Sequence, residues 1–241
     1  MYTCFDLHNH TVASGHAYST IEEIAARAKD RGLQLVGIAD HGPAMPGGPH
    51  LYYFGNHGQI PRQIDGMEIR FGVEANIIST DGKLDLPESL LKELDFVAAG
   101  LHGDTGYEGK TKADHTKALL GALENPYVDF IVHPGNPRFP IDEEAVARKA
   151  AETGVALEVN NSSLTVVRLG SEEICLRLIT KLKEFGGIVI LGSDSHISSN
   201  VGDLDAAIDL VQRAGLGNEQ ILNASCKLLE EYLASRRRHK R

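Results

Sequence analysis

The sequence predicts an α/β protein in which short parallel strands alternate with helices in a closed or nearly closed barrel. Seven apolar, β-rich runs recur along 241 residues, at 4–7, 33–39, 69–74, 96–101, 130–133, 156–159 and 188–191. Segments of helical periodicity lie between them, and repeated strand–helix units bury a parallel sheet under helices. Length agrees, since 241 residues fit one barrel domain of about 200–250 residues. No repeat or linker divides the chain, so residues 1–241 read as a single domain.

The helices carry their own signals. Ser19, Thr20, Ile21 and Glu22 have the spacing of a capping box, and Ile21, Ile24, Ala25 and Ala28 then share one face. Asp142 opens a second helix that runs to about Glu152, with Ala145, Val146 and Ala150 inward. A third starts at Ser171 or its neighbour, with Ile174, Leu178 and Leu182 inward. Gly32, Gly154 and Gly186 stand where these helices should stop. Residues 42–66 are rich in Gly and Pro around Leu51, Tyr52, Tyr53 and Phe54, and read as a long loop placed like a lid. Residues 236–241 read as a basic tail, either solvated or in weak contact with RNA or a partner.

Composition narrows the function. Lys and Arg total 24 against 33 Asp and Glu, a net charge of −9, which disfavours wrapping duplex nucleic acid. No apolar run reaches the ~18 residues of a membrane span, and the first residues lack a secretory pattern. Cys4, Cys175 and Cys226 are sparse, odd in number and in no CxxC, which suits a reducing compartment and a cytoplasmic location. Nothing in the chain excludes a homo-oligomer.

Histidine is the unusual residue, with 11 copies. His8 and His10 end the first strand run, and i, i+2 residues share a strand face. His41 follows the second run, Glu74 ends the third, His102 the fourth and His133 the fifth, while Asp194 and His196 follow the seventh. His16 lies in the loop after the first. In a parallel barrel all strand C-termini lie at the end that carries the active site. Nine imidazoles and carboxylates therefore converge on one mouth, leaving His50, His57, His115 and His239 aside. A single strand-end histidine is an ordinary satisfied polar residue. Nine together, without a cation, would leave many lone pairs competing for few donors. A zinc ion takes about four ligands, so nine suit two or three ions. The imidazole–carboxylate mixture suits Zn, Fe or Mn. Such a pocket is strongly positive inside an acidic protein and selects an anionic substrate, phosphate first.

These motifs resemble a known family. His8-Asn9-His10, Asp40-His41-Gly42, Glu74, Leu101-His102, the run from His133 to Pro137, the run from Glu158 to Ser163 and the run from Gly192 to His196 are similar, in order, to the PHP (polymerase and histidinol phosphatase) superfamily. The resemblance is greatest to its YcdX-type phosphatases. It implies a distorted (β/α)7 barrel with a trinuclear centre, usually zinc. His8, His10, Glu74 and Asp194 would hold one ion. Glu74 would bridge to a second with His102 and His133, and His16, His41 and His196 would hold the third. Family members hydrolyse phosphoesters.

The expected reaction is phosphomonoester hydrolysis of a small phosphorylated substrate. A hydroxide held between two ions attacks phosphorus, so no side-chain nucleophile is needed and Ser193 and Ser195 read as turn residues. Glu74, Asp194 and His196 are the expected catalytic groups, and Arg168 and Asn160 the expected substrate-binding ones. Arg168 could equally be a surface arginine. Asp6 and Asp40 either orient imidazoles or cap a turn. The alternatives are a nuclease or oligonucleotide-degrading enzyme, a histidinol phosphatase, and a metal-dependent binding protein without turnover.

Overall fold

In the computed structural model, which describes residues 3–239, the expected parallel strands form with one division. Strand β1 (Phe5–Asp6) pairs with β2 (Leu35–Ile38), and a short β3 (Gln63–Ile64) runs antiparallel to β4 (Met67–Phe71), which pairs in parallel with β2. A second sheet contains β5 (Val73–Asn76), β6 (Val97–Gly100), β7 (Phe130–Ile131), β8 (Ala156–Asn160) and β9 (Val189–Gly192), all parallel. The single run expected at 69–74 is thus two strands that part at Gly72, and the ladder is two sheets, not one continuous ring. Isolated pairings of His41 with Glu74 and of Asn9 with Ser195 link the sheets. Between β1 and β9 the Asn223 amide stands in for ladder bonds. It donates to the carbonyls of Phe5 (3.1 Å) and Leu191 (2.9 Å) and accepts from the Leu191 amide (2.7 Å).

Strand alternation sorts the side chains into two cores. Phe5, Leu35, Phe96, Phe130, Ala156 and Ile190, from both sheets, share one inner cluster with Leu229, Tyr232 and Leu233 of α9 (Cys226–His239). The Tyr232 hydroxyl donates to the Asp129 carbonyl and accepts from the Ala156 amide, so α9 covers the N-terminal ends of β7 and β8. The larger cluster packs the other strand faces against α1 (Ile21–Asp30), α4 (Lys112–Glu124), α5 (Glu143–Thr153), α7 (Ser171–Glu184) and α8 (Asp205–Arg213). Among the described residues no helix is long and apolar enough to cross a membrane.

Several local expectations change. The cap of α1 is Thr20, whose hydroxyl accepts from the Glu23 amide while Glu23 accepts from the Thr20 amide. Ser19 instead accepts from the Ser198 amide at 2.8 Å. Asp142 caps α5 as expected, and Gly154 ends it at φ +67. Residues 42–66 are not a structureless loop. They contain α2 (Leu51–Gly55), anchored by the fully buried Phe54, and then the β3–β4 hairpin across Asp65 and Gly66. Arg236 is no tail residue. It is buried and donates to the carbonyls of Thr153 (2.7 Å) and Val128 (2.6 Å). Lys240 and Arg241 of the expected basic tail lie outside the described residues.

Sequence distance misled most at the cysteines. Cys4 and Cys226, separated by 222 residues, form a disulfide with Cα atoms 5.8 Å apart, and Cys175 is free and buried. Chain ends that look remote meet because α9 returns beneath β1. The cysteine count therefore no longer argues for a reducing compartment. The bond staples the first strand to the last helix, and Cys226→Ser should lower unfolding stability by about 2–4 kcal/mol. Thermal melts check this: reductant should lower the wild-type midpoint and leave the variant's unmoved.

Candidate metal centre

The parallel strands deliver their C-terminal ends to one side, and the nine residues expected there are brought together. Glu74, in β5, is the hub. Its Oε1 lies 2.9 Å from His102 Nε2 and 2.8 Å from His133 Nε2. Its Oε2 lies 2.8 Å from His41 Nδ1, 3.3 Å from His10 Nε2 and 3.5 Å from His8 Nε2. Asp194 Oδ1 lies 3.3 Å from His10 Nε2 and 3.5 Å from His8 Nε2. His16, exposed on its loop, and the half-buried His196 complete the set. The His16 ring lies 5.0 Å from that of His41 and 4.9 Å from that of His196.

Local hydrogen bonds aim the imidazoles. His8 Nδ1 donates to Glu158 Oε1 at 2.6 Å, which turns Nε2 toward the cluster. Ser14 Oγ gives its proton to Asp40 Oδ1 (2.7 Å), so His10 Nδ1, 3.1 Å away, must be the donor to Ser14. His196 Nδ1 donates to the Asp194 carbonyl at 3.0 Å. Backbone strain contributes to the aim. His133 (φ +35), Asp194 (φ +55) and Arg168 (φ +51) all adopt the left-handed region, which costs a non-glycine residue about 1–2 kcal/mol each.

The donor set fits divalent cations. His8 Nε2, His10 Nε2, His41 Nδ1 and Glu74 Oε2 are buried without a hydrogen-bond partner, an arrangement costing about 1–3 kcal/mol per atom unless a cation satisfies it. Ligands of a tetrahedral zinc sit about 3.3 Å from one another, close to the separations observed. Ligand atoms of His8, His10 and Asp194, of His41, Glu74 and His102, and of His10, His41 and His196 each lie within 4.8 Å of one another. These groupings share His10 and His41 between clusters, where the resemblance partitions them.

Electrostatics favours the same binding forms. Burial and the neighbouring His41 hold His10 well below the usual imidazole range. Burial and the Arg168 charge push His133 down to about 3. Burial alone would raise Glu74, but His41, His102 and His8 hold it well below the carboxylate range. His8 is the exception. Burial would lower it, yet Glu158, Asp194 and Glu74 hold it well above its ordinary value, marking where positive charge is wanted.

The surrounding residues divide between bracing and reaching. Glu158 is the functional residue that strand-end reasoning missed. It is buried in mid-β8 and also accepts from the His133 amide at 2.8 Å. Only glycine fits at 192, because a Cβ there would come within 2.1 Å of Glu158 Oε1. Asn160 does not reach outward as a substrate-binding residue would. Its buried amide donates to Glu158 (3.0 Å) and Asp194 (3.2 Å) and accepts from Ser163. Arg168 spends one guanidinium nitrogen on Asp194 Oδ2 (2.9 Å) and Ser163 Oγ (3.0 Å). Asp40 orients His10 through Ser14. Asp6 instead accepts from the backbone amides of His8, Ser193 and Gly202. The Ser193 and Ser195 hydroxyls donate to backbone carbonyls. A cavity of about 1150 Å³ lies between α1 and the 42–66 segment, and none of the nine groups lines it.

Comparison with known proteins agrees. Residues 6–162 match the PHP domain family model. A probable phosphatase of Caldanaerobacter subterraneus subsp. tengcongensis is 51% identical, covering 97% of this chain and 92% of that one. A probable phosphatase of Acetivibrio thermocellus is 48% identical over 95% of this chain and 94% of its own length. The histidinol phosphate phosphatase of Lactococcus lactis, solved with zinc, L-histidinol and phosphate, shares the fold at a TM-score of 0.64 and 19% identity, covering 90% of this chain and 95% of that one. With a hub carboxylate, strand-end imidazoles and these relatives in agreement, the chain belongs to the PHP domain family.

Proposed function

We propose that this protein is a divalent-metal-dependent phosphatase that hydrolyses small phosphomonoesters. The convergence of nine cation-binding groups with a guanidinium at their edge carries this reading, and the probable phosphatases among the relatives support it. The domain spans residues 1–241. Its two sheets form a distorted (β/α)7 barrel, a reading supported by the two linking pairings and the shared inner core. The residues would hold three ions, zinc first, with iron or manganese as alternatives. His8, His10, Glu74 and Asp194 hold one, Glu74, His102 and His133 the second, and His16, His41 and His196 the third.

When bound, such ions lower the pKa of a coordinated water toward neutrality and draw charge from phosphoryl oxygens. The chain's own residues do the rest. Glu74 turns one oxygen to His102 and His133 and the other to His8, His10 and His41, which suits a bridging position. Asp194 faces imidazoles with Oδ1 and fixes Arg168 with Oδ2, leaving the other guanidinium nitrogens for phosphate oxygens. His196, half-buried, presents Nε2 at the mouth. In the reaction a water oxygen bonds to phosphorus, the ester P–O bond breaks, and the alcohol leaves carrying one water proton.

Elemental analysis alongside hydrolysis of 4-nitrophenyl phosphate tests the reading. Two to three metals per chain are expected, with activity lost on chelation and restored by Zn, Mn or Fe. Less than one metal and no restorable activity would overturn it. Asp194→Ala and His102→Ala should fold yet lose metal and turnover together, and full activity at wild-type metal content would contradict the assignment. Glu158→Gln should keep the fold by circular dichroism but weaken metal retention about 10–100-fold in a chelator titration.

A further inference from the structure

A second cavity, about 350 Å³, adjoins the cluster and shares His102 and Arg168 with it. A substrate whose phosphoryl group sits at the cluster has this volume for its leaving group, so the argument rests on the phosphatase reading. Its other walls include Met45, Asn136, Arg138 and Phe139, and no aspartate or glutamate lines it. Among the described residues its lining thus carries two guanidinium groups and no carboxylate, the Asp194 partner of Arg168 belonging to the cluster.

The two arginines are not equivalent. Arg168 is turned inward and bonded to Asp194. Arg138 is exposed, and among the described residues no carboxylate pairs with it. Its place is nevertheless defined. Its amide donates to Asn136 Oδ1 at 3.0 Å, and its guanidinium carbon sits 5.7 Å from the Phe139 ring centroid. The guanidinium also lies flat against Gly103, where a Cβ would come within 2.5 Å of both terminal nitrogens. A glycine next to His102 thus lets the charge rest over the backbone at the cavity wall. An unpaired guanidinium held at a pocket wall is suited to a bidentate anion.

We propose that Arg138 is a specificity-determining residue that binds a second anionic group, a carboxylate or a phosphate, on the leaving-group side of the phosphomonoester. Met45 and Phe139 flank the carbon body between the two anions. An ammonium on the leaving group meets like charge here.

The test uses four three-carbon esters: the monophosphate of propane-1,3-diol, its bisphosphate, the phosphate ester of 3-hydroxypropanoate, and that of 3-aminopropanol. The metal-loaded enzyme should favour at least one of the two-anion esters over the neutral one by about 10–100-fold in kcat/KM, the range of a charge-assisted pair. The amine should be the poorest substrate. Arg138→Ala should collapse the preference mainly through KM, and Arg138→Lys should keep part of it. A larger preference for the carboxylate or for the bisphosphate identifies which anion is used. Turnover without preference, or a preference that survives Arg138→Ala, would overturn the inference alone. No turnover of any ester would overturn the phosphatase reading as well.

Discussion

Everything at the mouth depends on one buried carboxylate. Glu74 has no exposed surface, yet five imidazole nitrogens stand within 3.5 Å of its two oxygens. Burying an ionised carboxylate is costly unless positive charge and hydrogen bonds compensate it. The imidazoles only partly do so: apart from His8, which three carboxylates hold well above its ordinary value, rings such as His10 and His133 are held low, and His10 turns a lone pair inward once Ser14 has taken its Nδ1 proton. The folded chain is therefore short of positive charge at its centre, and that deficit makes the site a cation receptor.

The architecture meets this demand by separating stability from chemistry. The inner apolar cluster and α9 close the N-terminal ends of the strands, where Tyr232, Asn223 and the Cys4–Cys226 disulfide tie both chain ends together. The C-terminal ends are then free to carry polar residues in strained conformations. His133 and Asp194 leave their strands at positive φ, which bends the chain sharply enough to turn both side chains back over the strand ends. The break at Gly72 belongs to the same logic. It lets β5 begin a new sheet, so that Glu74 pairs with His41 at the junction between the two.

Much of the site was legible because strand ends follow a rule. In parallel strands, polar residues at successive C-termini must share a face of the molecule, so His8, His41, His102 and His133 could be placed without coordinates. Glu158 escaped this rule because it sits in mid-strand. The available signal was an acid between the apolar Leu157 and Val159 of β8, two residues before Asn160 and hence on the same face. The β3–β4 hairpin was also signalled. Asp65 and Gly66, both at positive φ, form the two-residue turn that such a pair favours. The disulfide and the burial of Arg236 had no local signal, since both depend on where α9 returns after the whole chain has been laid down.

The 42–66 segment shows how a peripheral element can act on the centre through intervening side chains. Phe54, fully buried, fixes α2 against the core, and this holds the Tyr53 hydroxyl against Asp40. Asp40 is then saturated. One oxygen takes the Thr11 amide and the Ser14 hydroxyl, and the other takes the hydroxyls of Thr11 and Tyr53. With Asp40 held on four sides, Ser14 can only donate to it, so His10 must direct its lone pair inward. Tyr53 also lines the large cavity beside α1. A segment that composition suggests is a lid thus also acts as a brace: its hold on His10 passes through three side chains, while Met45 near its start lines the cavity beside the cluster.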